Sequence, residues 1–206
     1  MSASPIHTRS LVLAHEAAVE ELHGLASAQG WRPAHAIRAG FTEKTRLDWD
    51  VGHDAESGTT VGYREEHYSG IRTVTAAGAD ERQVEHLAAV LAANLPTVPE
   101  TAVLDRLLDD TEATPLAAVR GIREWAAFHY AAGLTDSVSV PFDPRYRRVI
   151  ERHVAHPNRQ VRLTAMLVAD QLARIWPESR EPVIARKGVE VELDHLVDAF
   201  IEEAAK

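Results

Sequence analysis

The residues with the most distinctive chemistry are six arginines clustered in a short stretch of the chain. Residues 143–162 contain six basic and two acidic side chains, although the whole chain has a net charge of −9. Arg145, Arg148 and Arg152 recur at helical spacing, which places them on one face of a predicted helix, and Arg159 follows them. Guanidinium groups bind carboxylates and phosphates through paired hydrogen bonds. These four arginines are therefore the candidate site for an acidic protein segment or for phosphate.

Two other interpretations of the same arginines remain open. In the first, they form an ordinary solvated helix face balanced by local acids such as Glu151. In the second, the arginines of residues 145–162 contact the backbone of nucleic acid. The acidity of the rest of the chain argues against strong duplex binding at physiological salt. We therefore expect the partner to be another protein rather than nucleic acid.

Eleven histidines make metal binding worth considering. His153 and His156 have the i, i+3 spacing of metal ligands, but the pattern lacks an adjoining acid, so structural or solvated roles are expected. His53, Asp54 and Glu56 lie in a predicted hairpin loop, where polar side chains are ordinary turn residues. The histidines therefore predict no metal site.

A hydrolase is a third hypothesis, with His53, Glu65 or His67 as its acid–base groups. Strand alternation places Glu65 and His67 on one face together with Tyr63. Without a partner group in a cleft, the pattern favours the charged outer face of a sheet. Metal analysis of the purified protein is the direct test of this hypothesis.

Composition and missing motifs exclude several classes of enzyme. The chain has no cysteine, which excludes disulfides, thiolate nucleophiles and metal sites that need sulfur. Phosphate-binding glycine loops, the Gly-x-Ser-x-Gly elbow and His-Glu-x-x-His are absent. We therefore expect a protein that is not an enzyme and that uses no cofactor. The longest apolar run is seven residues, 87–93, so we expect no membrane segment and a cytoplasmic location.

The first part of the chain, residues 1–96, predicts an α+β unit made of a helix, three or four antiparallel strands and a second helix. The first helix is predicted to start at Ser4-Pro5 and to bury a stripe formed by Leu11, Ala14, Ala18, Leu22 and Leu25. Alternating side chains predict strands at 45–51, 59–63 and 71–75, with 34–38 as a fourth. A capping arrangement from Asp80 to Gln83 starts the second helix, and Pro96 ends it.

The second part, residues 97–206, predicts helices that begin at prolines and contain an internal repeat. Helices are expected after Pro99, Pro115, Pro144 and Pro157, with a terminal amphipathic helix over 193–201. Pro115-x-x-x-Val119-Arg120 recurs as Pro157-x-x-x-Val161-Arg162, which is a displacement of 42 residues. That displacement is within the period of about 40–47 residues that is typical of HEAT and armadillo arrays.

The segment from His153 to Ala165 resembles the interhelical turn and second helix of a HEAT repeat, and the resemblance covers residues 99–176. The sequence departs from the family pattern at His156, where aspartate is common, and at Gly121 and Arg123. The resemblance implies antiparallel helix pairs that stack and present a surface to protein partners, with no catalysis. It also implies that Val119 and Val161 are core residues and that Arg120 and Arg162 bond carbonyls of neighbouring repeats.

The sequence therefore predicts an α+β unit joined to a HEAT-like array with a C-terminal capping helix. The expected function is that of an interaction or adaptor module, with a regulatory or immunity-type partner as one form of it. A second copy of the chain is a further candidate partner, because two repeats leave apolar ends uncovered.

Overall fold

The computed structural model of the protein describes residues 6–37, 45–51, 58–66, 69–109, 114–129, 141–189 and 193–204. The chain divides into two compact units. One is Met1–Glu100 with Ala127–Val138, and the other is Thr101–Ala126 with Ser139–Lys206.

An antiparallel sheet with two helices forms the first unit. The described strands are β1 (His7–Leu13), β2 (Arg32–Ile37), β3 (Thr45–Asp50), β4 (Thr60–Glu66), β5 (Ile71–Gly78) and β6 (Thr97–Val98). Their order in the sheet is β2-β3-β4-β5-β1-β6. The helices are α1 (Val19–Ala28) and α2 (Glu81–Asn94). The predicted strands, including the one at 34–38, are thus confirmed, while β6 was not predicted.

The core of this unit lies between one face of the sheet and the two helices. Alternate residues of the strands face the helices, so that Trp49 of β3 lies opposite Val61 of β4, and Tyr63 lies opposite Val74 of β5. These side chains pack with apolar residues of both helices, which are Leu22, Leu25 and Ala26 of α1 and Val84, Leu87 and Leu91 of α2. The period-two pattern of the strands and the helical stripe of α2 therefore meet in one core.

The predicted first helix is wrong over its first half, because residues 7–13 form β1. This strand pairs with β5, with Leu11 opposite Val74. Val12 and Leu13 are both buried. Because consecutive side chains of a strand point to opposite faces of the sheet, the two residues are buried on different faces. The apparent helical stripe combined Leu11 of the strand with Leu22 of α1. Pairing with β5 is a long-range interaction that local spacing does not reveal.

The start of α2 confirms the predicted N-cap. The Asp80 carboxylate accepts hydrogen bonds from the backbone N–H groups of Arg82 (2.9 Å) and Gln83 (3.4 Å). The Gln83 side chain accepts a bond from the Thr59 hydroxyl at 2.8 Å. The residue at the third position of the helix therefore ties α2 to the strand region preceding β4.

The described residues after β6 are mostly helical, as predicted. The described helices are α3 (Glu100–Leu108), α4 (Pro115–His129), α5 (Pro144–Val154), α6 (Arg159–Ala173), α7 (Glu181–Ile184) and α8 (Asp194–Ala204). Between α6 and α7 a short 3-10 turn, Pro177–Arg180, was not predicted. The irregular connection expected at 134–140 lies outside the described residues. Among the helices that the structure describes, none is long and apolar enough to cross a membrane.

Helices α3 and α4 form an antiparallel pair. Glu100 at the start of α3 is 2.9 Å from the ring of His129 at the end of α4. Arg106, near the end of α3, donates to Glu124 at 2.8 Å. Gly121 of α4 faces Leu107, and a Cβ at this glycine would lie 2.9 Å from the leucine. Gly121, which departs from the HEAT pattern, therefore lets the two helices approach closely.

An aromatic cluster forms the centre of the second unit. The ring centroid of Tyr146, in α5, lies 5.4 Å from that of Trp125 in α4 and 5.2 Å from that of Trp176, which follows α6. The ring centroid of Phe142 lies 5.9 Å from that of Tyr146 and 5.9 Å from that of Trp176. Aromatic pairs at these separations bury large apolar surfaces with specific geometry. The cluster therefore holds α4, α5 and the end of α6 together.

The two sequence repeats differ in their local structure. Pro115 is the first residue of α4, whereas Pro157 precedes α6 and Asn158 provides its N-cap. Val161 is fully buried, as the resemblance implies, but Val119 is only half-buried because Ala118 takes the inward position. The phase of each helix relative to its proline therefore differs between the copies.

We expect opposite effects from the same substitution at two glycines of the first unit. A Cβ at Gly78 would lie 2.8 Å from the Thr59 hydroxyl and 3.3 Å from its Cα, so Gly78→Ala should lower the free energy of unfolding by about 1–3 kcal/mol. Nothing lies within 4 Å of a Cβ at Gly24, in α1, so Gly24→Ala should stabilise the protein by about 0.5–1 kcal/mol. Urea denaturation followed by tryptophan fluorescence measures both values. Equal effects would contradict this packing.

Candidate interaction surface

The arginine face, defined as Arg145, Arg148, Arg152 and Arg159, is carried by α5 and the start of α6. Helix α5 begins after Asp143, whose carboxylate accepts a bond from the backbone N–H of Arg145 at 2.7 Å. Its inner side is buried and consists of Tyr146, Val149, Ile150, His153 and Val154. This apolar stripe fixes the rotation of α5, and the arginines of α5 lie at the remaining positions.

Arg145 is paired within its own helix turn. Its Nε and Nη2 groups donate to Asp143 at 3.0 and 2.7 Å. This pairing holds the pKa of the Asp143 carboxyl below its ordinary value, with a smaller contribution from the charge of Arg148, and it raises the pKa of Arg145. The charge of Asp105, in α3, raises the pKa of Arg145 further. Most of the charge of Arg145 is therefore balanced locally.

Arg152 connects α5 to the end of α3. Its Nη1 group donates to the carbonyl of Leu108 at 2.9 Å, and its Nη2 group donates to the carbonyl of Asp109 at 2.8 Å. Carbonyls at a helix C-terminus have no partner within the helix and carry partial negative charge, which favours a cation there. Arg152 is therefore a structural residue, although the sequence predicted a partner-binding role.

Arg148 and Arg159 are both exposed, Arg148 on α5 and Arg159 at the first position of α6. Arg148 has no hydrogen bond or ion pair with any residue in the described part of the chain. Glu151, which the sequence offered as a counter-ion for this face, accepts instead from Arg147 at 2.8 Å. Arg147 also donates to Glu181 of α7 at 2.8 Å. The nearby acids thus leave the guanidinium of Arg148 in contact with solvent.

Arg162 bonds backbone carbonyls, but not those of a neighbouring repeat, which the resemblance implies for it. Its Nη1 group donates to the carbonyls of His156 (2.8 Å) and Pro157 (2.7 Å), which belong to the turn before α6 rather than to a neighbouring repeat. Arg120, at the equivalent position of α4, is exposed and makes no such bond to a described residue. Arg152 donates to carbonyls at the end of α3, and Arg162 donates to carbonyls of the turn before α6. The sequence pattern does not identify these acceptors, because any residue has a backbone carbonyl.

The histidines of the predicted i, i+3 pair are engaged in separate local bonds. His153 is buried, and its Nδ1 lies 2.7 Å from the carbonyl of Val149. His156 accepts a bond at Nδ1 from the backbone N–H of Asn158 at 3.0 Å. Within the described ranges, no group of three histidine or carboxylate side chains is placed to hold a metal ion. His53, Asp54, Glu56 and His67 lie outside those ranges.

Glu65 lies on the helix-covered face of the sheet, so the prediction of an outer-face position is wrong. The hydroxyl of Tyr63 donates to Glu65 at 3.3 Å, and Arg72 donates to the other carboxylate oxygen at 3.1 Å. Arg72 also donates to the carbonyl of Ala17, just before α1, at 2.6 Å. Burial, together with the charge of Glu65, raises the pKa of Tyr63 to about 12. This arrangement is a structural ion pair that attaches the start of α1 to the sheet.

We expect Arg152 and Arg148 to differ in their contributions to stability. Arg152→Ala removes two hydrogen bonds to helix-end carbonyls and should lower the free energy of unfolding by about 1–3 kcal/mol. Arg148→Ala is the matched control, and it should change that energy by no more than about 0.5 kcal/mol, since the side chain is exposed. Chemical denaturation measures both. A larger loss for Arg148→Ala would contradict the assignment.

The buried His153 should make the protein less stable in acid. Burial lowers the pKa of His153 from its ordinary value of 6.5, so below this pH the unfolded chain takes up a proton that the folded chain refuses. The free energy of unfolding should therefore fall as pH drops below 6.5, by up to about 1.4 kcal/mol per pH unit, until the folded-state pKa is reached. Denaturation at a series of pH values measures this slope. His153→Asn should flatten it, whereas His86→Asn, at an exposed position of α2, should not.

Comparison with known proteins does not assign the chain to a family. No protein-family model matches the chain, and neither a curated protein nor a solved structure matches it. The likeness to HEAT repeats therefore stays a prediction from the sequence. What the chain does must be inferred from its own contacts, and the arginine face is the strongest candidate among the described residues.

Proposed function

We propose that this protein is a non-enzymatic interaction module of the HEAT-repeat type that binds an acidic segment of another protein through its arginine face. The observation that carries the proposal is the state of Arg148. It projects into solvent without an ion pair among the described residues, while Arg145, Arg147 and Arg152 beside it are held by fixed acceptors. A guanidinium on an ordered helix is able to form paired hydrogen bonds with an incoming carboxylate.

The contacts of two α5 arginines with α3 support the HEAT-like part of the proposal. Arg145, early in α5, interacts with Asp105, and Arg152, late in α5, bonds the carbonyls that end α3. The contacts therefore run in the same order along both helices. Equivalent helices of successive repeats lie side by side in this way in a stacked array.

Charge favours an acidic partner at this place. The chain has a net charge of −9, but residues 143–162 contain six bases and two acids. A negatively charged partner is repelled by most of the protein and attracted at this segment, which orients its approach. This surface suits a cytoplasmic regulatory protein, or an immunity-type protein that covers an effector.

The test is quantitative cross-linking in extracts of the source cells with wild-type and charge-reversed protein. Arg148→Glu should reduce the yield of the principal cross-linked partner by about tenfold or more, since it places like charges together. Arg82→Glu makes the same charge change at an exposed position of α2 and should leave the yield unchanged. Equal yields for both variants, or no partner at all, would refute the proposal.

Nucleic acid is the alternative partner for residues 145–162, and fluorescence anisotropy with a labelled duplex distinguishes it. Steeply salt-dependent binding that is lost on combined replacement of Arg145, Arg148 and Arg152 by alanine would favour it. Arg145 and Arg152 already bond protein acceptors, which leaves fewer free cations for phosphate contacts than the sequence indicates. The observed contacts therefore favour a protein partner.

A further inference from the structure

Eight of the fifteen residues of helix α6 are buried, and a stripe along its accessible side contains exposed and half-buried residues. The stripe positions alternate at spacings of three and four residues, and they are Gln160, Leu163, Leu167, Asp170 and Arg174. Leu167 is 60% exposed and lies near the middle of the helix, while Leu163, one turn earlier, is half-buried. Spacing of this kind is the pattern along which two helices pack side by side.

We infer that this stripe, the α6 stripe, binds the α6 stripe of a second copy of the chain, with the two helices antiparallel about a two-fold axis near Ala165. That register places Leu163 of each copy opposite Leu167 of the other. It also places Gln160 opposite Asp170, so that an amide donor meets a carboxylate acceptor on each side of the leucines. The stripe is therefore complementary to itself, as a two-fold interface requires.

The charges along the stripe select the antiparallel arrangement. In a parallel pair, Asp170 and Arg174 would each face their own counterpart, and like charges directly opposite one another are unfavourable. In the antiparallel register, neither Asp170 nor Arg174 lies opposite its own counterpart. Asp170 is already balanced by Arg180 at 3.0 Å, and its carboxylate retains capacity to accept a bond from the glutamine.

The size of the contact predicts a weak and concentration-dependent dimer. Two leucines per copy form a small apolar centre, and interfaces below about 1,200 Å² belong to transient complexes. The stripe does not include Arg148, whose replacement tests the partner proposed for the arginine face, although Arg159 of that face precedes Gln160 at the start of α6.

Sedimentation velocity from micromolar to millimolar protein tests the dimer. We expect the sedimentation coefficient of the wild-type chain to increase with concentration, and Leu167→Glu to weaken association at least about tenfold, since it buries a carboxylate against leucine. Leu116→Glu is the matched control, because Leu116 is 78% exposed on α4 and lies outside the stripe. Circular dichroism checks that both variants fold. A chain that stays monomeric, or equal association of the two variants, would overturn the inference.

Cross-linking through introduced cysteines tests the register, because the natural chain has none. Leu163→Cys and Leu167→Cys proteins, mixed and oxidised, should form the mixed disulfide faster than either protein forms its own disulfide dimer. Faster formation of the Leu167→Cys homodimer would indicate parallel or unrelated contacts and would refute the antiparallel pairing.

Discussion

The two hydrogen bonds from Arg152 to the carbonyls that end α3 are the interaction on which the geometry of the arginine face depends. Carbonyls at a helix end cannot be satisfied within the helix, and a guanidinium is suited to bridge two of them. The bond pair fixes α5 beside α3. The buried stripe of α5 sets its rotation, so that Arg148, one turn earlier, projects into solvent beside this contact.

Arginines in this segment perform two different tasks, which composition alone does not separate. Arg152 and Arg162 donate to backbone carbonyls and hold turns and helix ends in place. Arg145 and Arg147 are paired with carboxylates, and Arg148 extends from the surface that these contacts support. Apparent local positive charge is therefore larger than the charge available to a partner. Tyr146 and its aromatic neighbours contribute the apolar support on the opposite side of α5.

Sequence patterns predicted well those elements whose signals are local. The N-cap at Asp80, the strand alternation of β3 to β5, Pro99 before α3 and Pro144 at the start of α5 are all signals carried by residues close in the chain. The prediction of a helix at β1 was wrong, because the apolar residues at helical spacing belong to two different elements, β1 and α1. The prediction for Glu65 was also wrong, because alternation shows which residues share a face but not which face the helices cover.

The sequence by itself determined the class of this protein: an antiparallel sheet with helices, followed by proline-initiated helices with a basic segment. These features follow from periodicity, capping and charge, which act over a few residues. Only the tertiary structure decided that β1 pairs with β5, that Arg152 bonds the end of α3 and that Glu65 faces Arg72. The first two contacts join groups far apart in the chain, and the third joins side chains on neighbouring strands of one hairpin. Their partners become defined only when the elements pack, which explains why one arginine is structural and its neighbour on the same helix is exposed.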